Sequence, residues 1–172
     1  MGESESRSAR ADVDPKRKKR LLYICIVVFV LALPVVFLAV QSALAKRPEN
    51  LGVHNGRLAD CPGSPNCVCT QATDPQHHIE TIPFKGPPSE ILKQIKAAVR
   101  TIPRTEVVTE TENYIHAEAT SLIFRFVDDV EFFVDKDAKL IHFRSASRVG
   151  HSDLGVNRSR MEKFRDAFQA GK

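Results

Sequence analysis

The sequence predicts an α+β protein: an N-terminal transmembrane helix, then one domain in which two helices pack on one face of an antiparallel sheet. Three observations predict it. An unbroken apolar run fills residues 21–40, directly after Lys16-Arg17-Lys18-Lys19-Arg20. Two later segments carry apolar residues at helical spacing. Several strand-like segments are joined by connections too short for parallel crossovers, so the sheet they form is antiparallel.

The apolar run comes first. Its twenty residues rise about 1.5 Å each as a helix, which matches the roughly 30 Å hydrocarbon core of a bilayer. Pro34 is tolerated in such a helix. The basic cluster outweighs Lys46 and Arg47 on the far side, so the positive-inside bias predicts a single-pass protein of the inner (cytoplasmic) membrane, N-terminus in the cytoplasm and C-terminal domain extracytoplasmic, that is, periplasmic. Ala43-Leu44-Ala45 has the small-x-small form of a signal-peptidase site. The apolar run exceeds the about 7–15 residues of a signal-peptide core, which favours an uncleaved signal-anchor over cleavage after Ala45. Residues 1–20 read as a basic, aperiodic cytoplasmic tail, 41–60 as a polar linker, and 61–172 as the extracytoplasmic domain.

Within that domain, residues 79–84 form a short strand candidate. Pro87-Pro88-Ser89 opens a helix whose stripe is Ile91, Leu92, Ile95, Ala98, Val99 and Ile102, with Pro103 ending it. Residues 106–109 and 114–120 read as strands, followed by two longer ones at 123–134 and 139–149. A closing helix spans about 157–169, with Asn157 as N-cap and Met161, Phe164, Ala167 and Phe168 as its apolar face.

Charge excludes one function class. The chain has 25 Lys and Arg against 21 Asp and Glu; seven and four of these fall in residues 1–20, leaving 18 against 17 for the rest. The basic isoelectric point therefore belongs to the tail, and the domain offers no nucleic-acid surface.

The cysteines agree with export. Cys25 lies in the apolar run, and Cys61, Cys67 and Cys69 cluster in a loop stiffened by Pro62, Gly63 and Pro65. In an oxidising compartment this spacing reads as a disulfide from Cys61 to Cys67 or to Cys69, with one thiol left over. A metal site recruiting His77 and His78 is the competing reading, but the spacing matches no zinc pattern.

The chemistry concentrates in the last hairpin. With Asp135-Lys136-Asp137-Ala138 as a four-residue turn, Val134 faces Lys139. Phe132 then meets Ile141 and Val130 meets Phe143 on the core side, while Glu131 meets His142 and Asp129 meets Arg144 on the other. Arg125 falls opposite Arg148, a like-charge pair that calls for an acid or bound anion, and Asp128 opposes Ser145 on the core side, where a carboxylate demands a partner or a bulge. The functional reading is a ligand-binding pocket of Arg125, Asp128, Asp129, Arg144, Ser147, Arg148, Asp153 and Arg158, with His151 nearby, at the amino end of the closing helix, where anions are favoured. The simpler reading is a salt-bridged sheet face with a satisfied buried Asp. On the functional reading, Arg148→Ala weakens binding of an acidic ligand and spares the fold.

No nucleophile elbow, zincin helix, phosphate loop or dinucleotide fingerprint is present in the sequence. No catalytic residue, cofactor or metal is assigned. The resulting expectation is a membrane-anchored binding or assembly module for a protein partner or a small anionic ligand, leaning away from an enzyme. The alternative is a hydrolase using the carboxylates of Asp128, Asp129 and Glu131.

Three stretches carry a family resemblance: residues 124–132 (Phe-Arg-Phe-Val-Asp-Asp-Val-Glu-Phe), 144–150 (Arg-Ser-Ala-Ser-Arg-Val-Gly) and 152–158 (Ser-Asp-Leu-Gly-Val-Asn-Arg). Together with Cys61-Pro62 and Ser64-Pro65-Asn66-Cys67-Val68, they resemble the signature of the DUF1499 family over roughly residues 58–168. That family has no established function; the resemblance implies a domain of bacteria and plastid-bearing organisms, often exported or membrane-linked, and brings no catalytic role. It also implies that Cys61 and Cys67 are the pair. Cys69 stands where the family has Ser, which makes it the spare thiol. His151 stands where Tyr is usual, so it is no obligatory group.

Overall fold

The computed structural model describes residues 15–171. The chain divides into two compact units, Met1–Leu38 and Ala39–Lys172. The first is dominated by helix α1 (Pro15–Leu44), which is long and apolar enough to cross a membrane. Residues 1–14 of the expected tail lie outside the described residues. Pro15 to Arg20 are helical and prolong α1 rather than forming an aperiodic tail.

The second unit contains strands β1 (Cys67–Cys69) and β2 (Ile82–Pro83), helix α2 (Pro88–Arg100), strands β3 (Thr105–Glu110), β4 (Tyr114–Thr120), β5 (Val127–Asp135) and β6 (Leu140–Ser147), and helix α3 (Val156–Ala170). The sheet is antiparallel in the order β1-β6-β5-β4-β3, and β2 also pairs with β6. This is the α+β arrangement that the sequence predicts. The main core lies on one face: Ile115, Ala117 and Ala119 of β4, Val130, Phe132 and Val134 of β5, and Ile141 and Phe143 of β6 meet the stripes of α2 and α3. Phe164 sits between Phe132 and Phe143, at centroid distances of 4.4 and 5.9 Å.

Four expectations need correction. The strand expected at 79–84 is paired only at Ile82 and Pro83. The strand expected from residue 123 begins at Val127, because Ser121 closes a tight loop: its amide donates to the Phe126 carbonyl, and its Oγ accepts from the Phe126 amide. Arg125 in that loop has a left-handed backbone, φ 57°. The hairpin register is displaced by two residues. Asp135 pairs with Leu140, Phe132 with Phe143, Glu131 with Arg144, Asp129 with Ala146 and Asp128 with Ser147. The cause is the turn: the Asp135 carboxylate accepts from the amides of Asp137 and Ala138, and Lys139 takes the left-handed conformation, so the loop is 136–139. A two-residue slip exchanges partners but preserves faces, because side chains alternate with period two. Finally, Asn157 is no N-cap. It lies inside α3 and is buried, and the position before the helix is Gly155 at φ 81°.

Candidate functional site

The two acids of the Asp128-Asp129 step point to opposite faces of β5, and each has its own set of partners. Asp129 lies on the face away from the helices, with Glu131, and with Tyr114, His116 and Glu118 of β4 and Arg144 and Arg148 beyond. Its carboxylate accepts from His116 Nε2 at 2.8 Å and from Arg148 Nε and Nη2 at 2.9 and 2.7 Å. Arg148 Nη2 also donates to Glu118 Oε1 at 2.5 Å, and Arg47 reaches the same oxygen at 2.6 Å. Glu131, wholly buried, accepts from the Tyr114 hydroxyl at 2.8 Å, the Gly52 amide at 2.8 Å and Arg144 Nη1 at 3.0 Å. A charged face buried this deeply survives because almost every group is paired. Among the described residues, Arg144 Nε is the exception, buried without a partner.

Titration behaviour follows the same contacts. Burial pushes the Asp129 and Glu118 carboxyls up, but the hydrogen bonds from Arg148, joined by His116 on Asp129 and Arg47 on Glu118, outweigh it and hold both below the usual range. The bonds to Asp129 raise the Arg148 guanidinium further still. Burial, then Glu131, drive the Tyr114 phenol up, so it remains a donor.

The cover of this face is the stretch expected as a linker. Arg47 and Gly52 bond Glu118 and Glu131 as above; Leu58 and Val53 pack on Tyr114 and Phe133. The Leu58 amide donates to Gln71 Oε1 at 2.8 Å.

His116, Glu118 and Asp129 bring one ligand atom each within 4.8 Å of one another, the spacing of a metal site. The Arg148 guanidinium bonds both carboxylates and supplies the positive charge a metal would bring. The cysteine loop is committed differently. Cys61 and Cys67 form a disulfide, with Cα atoms 5.7 Å apart, and Cys69 is free and buried. His77 bonds Asp74 and the Ser64 carbonyl, and His78 the Ala72 carbonyl. Burial pushes the Cys69 thiol up, away from the reactive thiolate.

On the helix face, Asp128 meets Arg160 Nη2 of α3 at 2.6 Å. Arg160 Nη1 donates to Asn157 Oδ1 and Ser145 Oγ, and Asn157 Nδ2 to Ser147 Oγ and the Asn66 carbonyl. The pair borders a cleft of about 350 Å³ whose walls are Ile102, Pro103, Ala119, Leu122 and Val156, and whose polar groups include Arg104, Thr120, Ser159 and Lys163.

The eight residues expected as one pocket therefore divide. Asp129, Arg144 and Arg148 belong to the buried network, and Asp128 and Ser147 to the opposite face. Arg125 lines a separate depression of about 210 Å³ with Arg104, Glu106 and Glu118. Asp153 accepts from the Gly155 and Asn157 amides, so the helix end expected to hold an anion already holds a carboxylate of the chain. Arg158 donates to the Gln76 carbonyl, and His151 is exposed. Asp128 cannot join Asp129 and Glu131 in one carboxylate cluster, because they project from opposite faces. Sequence reasoning missed Arg160, Lys163, Arg104, Tyr114, His116 and Glu118. The polar alternation of β4 against Ile115, Ala117 and Ala119 is a readable signal for the last three.

The fold and the site define a class: an α+β domain following an apolar helix of membrane-spanning length, with one sheet face given to a core and the other to a buried ion network. The model of DUF1499, a protein of unknown function, matches residues 57–168, and the chain belongs to that family. No curated protein matches the chain.

Proposed function

We propose that this protein is a membrane-anchored extracytoplasmic binding module whose ligand is a small acidic amphiphile, held in the cleft beside Asp128 and Arg160. The orientation, N-terminus in the cytoplasm of an inner membrane, rests on the basic cluster beside the apolar run. One observation carries the ligand reading: the Arg148 face is self-paired and covered, whereas the 350 Å³ cleft combines apolar walls with the cations Arg104 and Lys163, both exposed. Its volume is at the small end of ligand sites. Apolar walls suit a short chain, and the cations suit a carboxylate or phosphate head.

Calorimetric titration of hexyl phosphate into the full chain held in nanodiscs tests the ligand. Saturable binding is expected, weakened at least tenfold by Lys163→Glu with an unchanged melting temperature. Equal affinity in that variant, or no saturable heat, contradicts the proposal. For orientation, protease added to intact spheroplasts is expected to remove the C-terminal domain; a domain cut only after lysis reverses the topology.

A further inference from the structure

Two loops at one end of the sheet carry apolar side chains straight into solvent. Leu122 and Ile123, in the β4–β5 loop, are 70% and 78% exposed, and Leu154, ahead of α3, is 94% exposed. Leu122 and Val156 line the same cleft, so the two loops are neighbours. Neither is free to fold its apolar tip inward. The first is closed by both Ser121–Phe126 hydrogen bonds and braced by the Phe124 and Phe126 rings, 5.6 Å apart. The second is fixed by the Ser152 hydroxyl and Asp153 carboxylate on the amides of Leu154 and Gly155. Exposed apolar tips on rigid loops are a cost in water unless something covers them.

Charge and chain length identify what covers them. Arg104, Arg125 and Lys163 are exposed around the tips, the apolar-plus-basic composition of surfaces that enter the headgroup layer of anionic membranes. Arg47, bonded to Glu118 of β4, follows Val40, the last residue of the apolar run, by seven positions. Seven residues reach at most about 25 Å. A membrane holding that run is thus within reach of the β4 end that bears the loop. We infer that Leu122, Ile123 and Leu154 dock into the headgroup region of the membrane that holds the anchor, with Arg104, Arg125 and Lys163 against anionic lipid heads. This rests on the membrane reading but not on the cleft ligand.

The chain contains no Trp, so one introduced tryptophan reports alone. Full-length Ile123→Trp, Leu154→Trp and, in the turn at the opposite end of the sheet, Lys136→Trp are reconstituted into phosphatidylcholine–phosphatidylglycerol vesicles containing acyl-brominated lipid. Blue-shifted emission and quenching several-fold stronger than for Lys136→Trp are expected for both loop variants, falling several-fold in phosphatidylcholine alone. Equal quenching in the neutral vesicles overturns the anionic assignment. Loop tryptophans no more quenched than Lys136→Trp overturn the docking itself, and a blue shift without quenching does so in favour of burial against a second copy of the chain. Because Ile123→Trp and Leu154→Trp lie on separate loops, misfolding of one, checked by circular dichroism, leaves the other to decide. Flotation of the chain with the vesicles, measured in parallel, keeps failure of the docking distinct from failure of the anchor.

Discussion

Asp128 and Asp129 are adjacent in sequence and belong to different regions of the molecule. Asp129 sits in a buried, mutually paired network that spans three strands and is covered by residues 47–58; Asp128 pairs with Arg160 at the edge of an open cleft. The comparison teaches that a dense set of charges is not by itself a binding site. What distinguishes the two is what lies beside them: the Asp129 network is closed over by the chain, whereas the Asp128–Arg160 pair, itself satisfied, borders an open cleft whose exposed cations are Arg104 and Lys163.

The largest expected effect separates these roles. Arg148→Ala leaves Asp129 buried with only His116 on it and Glu118 with only Arg47; removing one partner of a buried pair costs about 3–5 kcal/mol. Urea unfolding of the full chain in detergent measures it, and a loss below about 1 kcal/mol means the network is not structural. The sequence alone predicts the reverse, a variant with intact fold and weakened binding. Tyr114→Phe is the next largest: it removes one of three donors to the Glu131 carboxylate, and a hydrogen bond to a charged group contributes about 1.5–3 kcal/mol.

Acid titration sharpens the comparison further. Asp129 and Glu118 have folded-state values depressed below their unfolded ones, so the stability they contribute is complete above about pH 4–4.5 and drains away as pH falls through the lower folded values. Burial lowers the folded-state value for His142, which disfavours its protonation; stability falls as pH drops below about 6.5. Urea midpoints are therefore expected to show a shallow decline below about pH 6.5 and a steep one below about 4, with the steep part reduced in Glu118→Gln. An unchanged steep part in that variant assigns the acid sensitivity elsewhere. The smallest effect belongs to the cleft: Lys163→Ala, exposed on α3, is expected within about 0.5 kcal/mol of the parent in the same urea measurement.

Much of this was legible in the chain. The stripes of α2 and α3, the four long strands and the face assignment of β5 and β6 all follow from periodicity, which is why the register slip of two left the core pairs on the core side. The turn was not legible, because both four-residue windows contain Asp and Lys, and only the Asp135 side chain bonding to two amides decides between them. Arg160 flanks the apolar stripe of α3 and answers the demand of a buried Asp128, yet sequence spacing alone offers Arg158 equally well. The role of residues 47–58 is harder still. A polar, glycine-containing stretch lacks periodicity whether it swings free or lies on a sheet, and here Gly52 contributes only its amide to Glu131.

That stretch reports whether the charged face is sealed and structural. Hydrogen exchange of the full chain in detergent, followed by mass spectrometry of peptides covering residues 47–58, reads it. The Gly52 and Leu58 amides, bonded to Glu131 and Gln71, are expected to exchange orders of magnitude more slowly than an unstructured chain, approaching the protection of β5 itself. Exchange at the rate of a free linker would contradict the account and leave the Arg148 face open to a ligand.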